Sequence, residues 1–374
     1  MKKCFIALLL MLAALFPLLA EETAAEDSGE ERVQWAVVPG PFYNPNVGTG
    51  VMIIPMAVYD FDPDDEISPP SSTTGGLLWT KPDWSRRGAT WVGGIQQQLY
   101  INEDTWRLSG FLGGGTVLYR FYQEGNEAGE DNFYAWIRQD GVYGNVQGLR
   151  KIWQKFYGGG FYTFQAYTMY GEEESDQIFL DFMGITKDWQ FASILGGKLL
   201  WDGKDNQYSP TSGIYGDFTV DYGASWLGGD TDYGAFSVLY SQYYALDRKD
   251  RHILAWQARG RTTVGDVPPN EMSAVGSDRS GFRGYMNGEY KNKSVVEGQV
   301  EIRSLFSDRI GVAAFFGVGS TFPSLGEIGE SVWLPAGGVG LRLAMIPEER
   351  INARLDFAWG IDSFALYFSV GEAF

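Results

Sequence analysis

The chain of 374 residues carries 47 acidic against 29 basic side chains, a net charge of −18, with one Cys, one His and 49 Gly. At 44% hydrophobic and 16% aromatic it can bury too much apolar surface to be disordered or collagen-like. The acidic balance argues against nucleic acid as a partner, because phosphate binding rewards basic surface. A single Cys leaves no disulfide framework and no thiolate metal site.

Met1 to Ala20 runs from Lys2 and Lys3 through CFIALLLMLAALFPLLA into the acidic EETAAEDSGEER. That is the charge, apolar core and polar exit of a secretory signal, with cleavage after Ala20 or Ala25, and Cys4 leaves with it. A run of roughly 17 residues broken by Pro17 is short for a membrane anchor. Residues 21–40 read as an acidic N-terminal segment, and residues 41–374 as the folded body.

Gly costs about 1 kcal/mol per helix position, and aromatics pack well on pleated strands, so the body leans to β structure. Its periodicity is two. The segments expected as strands are 47–59, 74–81, 89–101, 105–122, 132–149, 156–170, 176–186 and 188–202, then 213–226, 232–246, 251–265, 294–306, 309–321, 334–346, 350–360 and 363–374. In 350–360 the row Ile351, Ala353, Leu355, Phe357, Trp359 alternates with Asn352, Arg354, Asp356, Ala358. A soluble sandwich would use strands of about five or six residues with its charged row in water. Segments of about 10 residues after a signal, with aromatics near their ends, fit an all-β transmembrane antiparallel barrel of about sixteen strands, outer-membrane type. There the apolar row meets lipid and the charged row a polar lumen, and closure satisfies every edge.

Alternation puts Gln257, Arg259, Arg261, Glu297, Glu301, Arg303, Arg342, Arg354 and Asp356 on the inner wall. The longest interruption, 265–293, is centred on Phe282, Arg283, Gly284 and Tyr285. Long connections without regular structure are usually functional or disordered. An Arg inside a barrel needs a carboxylate, and Glu297, Glu301 and Asp356 are available. Asp202, Lys204, Asp205, Asn206, Pro210 and Gly213 lack EF-hand spacing and read as a turn rather than a cation site.

GFRGY with GEYKNKSVVEGQVEIR, WDGKDNQYSPTSG, the closing GVGLRL, RINARLDFAWG and ALYFSVGEAF, and the opening YNPNVGTGVMI resemble the outer-membrane assembly factor superfamily, the BamA/TamA and bacterial surface antigen barrels. The resemblance spans residues 40–374. It implies a sixteen-stranded barrel whose Arg-Gly-aromatic loop folds into the lumen, and a loosely paired seam between first and last strands that inserts or translocates polypeptides. The family's Phe-x-Asp-x-Gly strand reads Phe315, Phe316, Gly317, Val318, Gly319 here, so the loop Arg must find Glu301 or Asp356 instead. The stretch before residue 40 is too short for a periplasmic POTRA domain. The closing row Phe364, Leu366, Phe368, Val370 and Phe374 resembles the C-terminal signal recognised by the outer-membrane assembly machinery.

The function expected is therefore non-covalent assistance of polypeptide insertion or translocation in the bacterial outer membrane, with no cofactor, metal or catalytic residue. Partners expected are outer-membrane lipid, the assembly machinery during biogenesis, and a separate periplasmic subunit or unfolded clients. The alternative is a passive, cation-preferring channel or a structural surface antigen barrel, in which the loop leaves the lumen open. An enzyme would need a positioned base, and the single His252 shares parity with the outward Leu254 and Trp256.

Overall fold

The computed structural model describes residues 33–374 except 45, 83–87, 124–132, 278–279 and 362; the signal expected at 1–20 lies outside the described residues. Sixteen antiparallel strands close into a barrel. They are β1 (Gln34–Asn44), β2 (Gly48–Tyr59), β3 (Ser71–Lys81), β4 (Thr90–Ile101), β5 (Trp106–Tyr122), β6 (Tyr134–Trp153), β7 (Phe156–Gly171), β8 (Gln190–Asp202), β9 (Gly213–Gly223), β10 (Tyr233–Ala245) and β11 (His252–Gly265). After the short pair β12 (Ser273–Ala274) and β13 (Lys291–Asn292) come β14 (Ser294–Leu305), β15 (Ile310–Phe322), β16 (Leu334–Ile346), β17 (Ile351–Trp359) and β18 (Phe364–Val370). Each barrel strand pairs with its sequence neighbour, β11 pairs with β14, and β1 returns to β18.

The outer face shows the apolar row: Trp35, Val51, Leu77, Trp91, Val146, Val238, Phe316 and Val339 are all exposed. The charged row turns inward and is buried, as at Arg259, Glu301, Arg342 and Asp356. No described helix is long and apolar enough to cross a membrane.

Two expectations about strands are corrected, and they cancel in the count. Residues 176–186 are not a strand: Glu174–Phe182 forms helix α1, buried through Phe179 and Leu180 against Phe121, Ile137 and Met169 of the wall. It stops because Gly184 adopts φ +72°, and Ile185 N–H returns to Leu180 O at 2.9 Å while Gly184 N–H returns to Asp181 O at 3.1 Å. The strand that replaces it is β1, so the barrel begins at Gln34, inside the stretch read as an acidic segment. Pro39 and Pro41 disguise it, because proline cannot donate to a ladder and survives only where a strand lacks a firm neighbour on one side. β1 is such a strand. It pairs with β2 from Gln34 to Asn44, but with β18 only at Tyr43↔Leu366.

Candidate functional site

The connection from β11 to β14 turns into the lumen. Its base is held by Ser273↔Asn292 and Ala274↔Lys291, and by Arg261, which donates to Glu271 O at 2.6 Å. Val275, Phe282, Tyr285 and Tyr290 then pack on Val295, Leu334 and Ala336 of the wall. Burying each large apolar side chain contributes about 1.5–3 kcal/mol.

Arg283 sits at the end of this apolar wedge, 3% exposed. It donates to Glu301 at 2.5 Å and to Asp356, and its guanidinium carbon lies 3.6 Å from the Phe315 ring centre. Asp356 also receives Arg342 at 2.6 Å and Arg354 at 3.2 Å, and Glu301 receives Arg303 at 2.6 Å. A buried charge is tolerable only when paired and hydrogen-bonded, and here each carboxylate is shared between guanidinia. Register makes the network possible. Gly340 is the cross-strand partner of Asp356, and a Cβ there would fall 1.9 Å from the Asp356 carboxylate.

The third carboxylate, Glu297, does not meet Arg283. It accepts from Arg259 at 2.9 Å and from the Gly276 N–H at 2.7 Å, so it holds loop backbone instead. Gly284 reaches φ +120°, where a side chain would be strained, and its N–H donates to the Tyr367 hydroxyl at 3.2 Å. Tyr285 donates to Pro335 O at 2.6 Å, and Phe282 stacks on it with ring centres 6.3 Å apart. Gly317, where the family pattern has Asp, leaves the space that Phe282 fills: a Cβ there would meet the Phe282 ring at 2.8 Å.

Sequence reasoning did not assign Gln257, Gln299, Tyr367 or Glu372 to the loop. Gln299 donates to Gly281 O at 2.8 Å, and Gln257 accepts from Gly281 N–H at 3.2 Å. Glu372 accepts from Arg342 at 2.7 Å. The outward row expected at the C-terminus stops early. Phe364 packs 5.2 Å from Trp359, Leu366 is 5% exposed, and the Phe368 ring covers Gly40. Val370 joins the cluster of Met56, Val58, Ile346 and Ile351. At Gly371, φ +83°, the chain turns, and Phe374 does not continue the strand but lies 5.6 Å from the Arg303 guanidinium. The signal was present: Glu372 shares the parity of the apolar row, and a carboxylate there could not face lipid.

The segment 203–212 between β8 and β9 is more than a turn. Asn206 donates to Glu349 O at 3.1 Å and Arg350 to Asp205 at 2.7 Å, so it reaches the β16–β17 connection on another side of the barrel. Burial raises the Asp205 carboxyl, but N–H groups of Ser212 and Thr211, the Thr211 hydroxyl and Arg350 hold it below the usual carboxylate range overall. No metal-holding group of His, Cys, Asp and Glu occurs among the described residues. His252 is exposed at the strand end, its Nδ1 3.1 Å from the Ser304 hydroxyl.

Against known proteins, the Omp85 superfamily domain matches residues 71–374. The fold is similar to BamA from Haemophilus ducreyi lacking POTRA domains 1–3, at 13% identity and TM-score 0.53, covering 91% of this chain and 71% of that one. It is similar to CdiB from Escherichia coli at 12% and TM-score 0.59, covering 92% and 63%, and to CdiB from Acinetobacter baumannii at 12% and 0.52, covering 90% and 59%. This chain thus spans less than two thirds of either CdiB chain. No curated protein sequence matches. A closed sixteen-stranded barrel with its longest loop folded inside, matched over residues 71–374, makes this chain a member of the Omp85 superfamily.

Proposed function

We propose that this barrel resides in the bacterial outer membrane and assists polypeptides to insert into or cross it, by opening at the β1–β18 seam and without covalent chemistry. One observation carries the reading. β1 and β18 share the single register pair Tyr43↔Leu366, whereas every residue of β5 from Trp106 to Tyr122 pairs with β6. Pro39 and Pro41 are two apart, so both missing donors fall on one edge of β1, and the unbroken ladder with β2 leaves the β18 side as that edge. An unpaired edge in hydrocarbon costs several kcal/mol per group, which a client strand can relieve by adding itself. The folded-in loop favours this reading over the open cation-preferring channel.

The test locks the seam. Paired antiparallel residues have Cα atoms about 4.5–5.5 Å apart, within disulfide range. Tyr43→Cys with Leu366→Cys is oxidised in the refolded barrel in liposomes, and insertion of a small unfolded outer-membrane barrel is followed by its protease resistance. Acceleration over empty liposomes that vanishes on oxidation and returns with reductant is the expected result. No acceleration in any state overturns the proposal.

A further inference from the structure

We propose that the residues after β18, Gly371 to Phe374, form a luminal latch that joins the seam strand to both inward loops, so that the loops at the two ends of the lumen are released together. Three residues place the latch. Gly371 N–H donates to Asn352 O at 2.8 Å, keeping the tail against β17 as it turns inward. Glu372 then accepts from Arg342 at 2.7 Å and Asn352 at 3.2 Å, with Arg303 at 3.6 Å. Phe374 O accepts from Arg303 at 2.7 Å.

The tail touches both loops. Towards 203–212, Glu372 N–H donates to Tyr208 O at 3.1 Å, Arg303 reaches Pro210 O at 3.4 Å, and Asn352 reaches the Ser209 hydroxyl at 3.4 Å. Tyr208 and Val370, the last residue of the seam strand, pack against the same cluster of Met56, Val58, Ile346 and Ile351. Towards 265–293, Gly281 has room for no side chain, because a Cβ there would lie 2.9 Å from both Ala373 O and the Phe374 ring. The two loops enter from opposite ends, one from the β8–β9 end and one from the β11–β14 end. Between them lies the tail, covalently continuous with β18. A displacement of β18 therefore pulls on both.

Glu372 is the residue whose loss separates the latch from the loop anchor. Without its charge, Arg342 keeps Asp356 and Arg303 keeps Glu301, so the Arg283 pairs stand. The test is Glu372→Gln in the refolded barrel, read by amide hydrogen exchange and by single-channel conductance in planar bilayers. Expected are unchanged exchange in β5–β7, at least tenfold faster exchange in both 203–212 and 280–284, and more frequent openings. Asn352→Leu, which removes the Glu372 and Ser209 contacts while keeping the same heavy-atom branching, is expected to act in the same direction should Glu372→Gln fail to refold. Faster exchange in only one loop, or in neither, overturns the latch. Neither readout involves a client, so the result is independent of whether the barrel inserts polypeptides.

Discussion

The lumen has two unlike halves. On the side of β14 to β18 the wall carries Glu301, Arg303, Arg342, Arg354 and Asp356, and the loop centred on Arg283 is packed against them. On the side of β2 to β7 a cavity of about 510 Å³ is lined by Gly76, Gly94, Gly113, Gln96, Gln139 and Gln165, while a second of about 460 Å³ has Ser72, Gln98 and Gln147 together with the charged Arg107, Lys198, Asp202 and Lys204 on its wall. No charged residue lines the 510 Å³ cavity, and its Gln139 and Gln165 meet the base of the loop as neutral amides, Gln139 accepting from Asn270 at 3.4 Å and Gln165 donating to Glu271 at 2.5 Å. Desolvation accounts for the difference: an inward charge facing an apolar wedge must be paired, whereas a neutral amide beside a watery cavity carries a smaller penalty.

The sharpest way to break this comparison is to remove the charge that joins loop and wall. Arg283→Ala leaves Glu301 and Asp356 with Arg303, Arg342 and Arg354, so the loss should approach the lower end of the range for breaking a buried pair, about 3 kcal/mol. The loop is expected to loosen, with raised conductance and faster protease cleavage between 265 and 293, while the barrel remains closed. Truncating Gln96 to Ala beside the 510 Å³ cavity should shift stability by no more than about 0.5 kcal/mol and leave conductance near its starting value. Unchanged conductance and unchanged cleavage in Arg283→Ala would show that the apolar wedge alone holds the loop.

How far these halves could be read from sequence depends on the kind of signal. The inward parity of Glu301, Arg342 and Asp356 was legible, because period two in a long strand fixes which face a residue takes. The loop was legible as an interruption, and the resemblance supplied its direction. What parity could not give was partner choice: Glu297, Glu301 and Asp356 were equivalent candidates until register placed Glu297 beside Arg259. Strand β1 stayed hidden because its two prolines resemble a linker, and α1 was mistaken for a strand because QIFLDF alternates over a stretch too short to separate the two periods. The tail reads as more strand because its aromatics keep the apolar parity, and Glu372 is a single polar residue among the five apolar ones of that row.

A finer test uses one substitution in both halves. At Gly317 an added methyl would lie 2.6 Å from Gly298 O and 2.8 Å from the Phe282 ring, and the first of these is backbone that cannot swing away. Gly317→Ala should therefore cost about 1–3 kcal/mol as overpacking, and because Phe282 is the group displaced, cleavage within 265–293 should rise with it. Gly76 lines the 510 Å³ cavity, and nothing lies within 4 Å of where its Cβ would be. There the same methyl meets no neighbour and restricts only the unfolded chain, so Gly76→Ala should be neutral or stabilising by up to about 1 kcal/mol. Urea unfolding of the refolded barrel in vesicles measures both. Opposite signs would mean that the halves differ in packing as well as charge; a penalty of equal size at Gly76 would mean that the cavity closes in solution and that the lumen is filled on both sides.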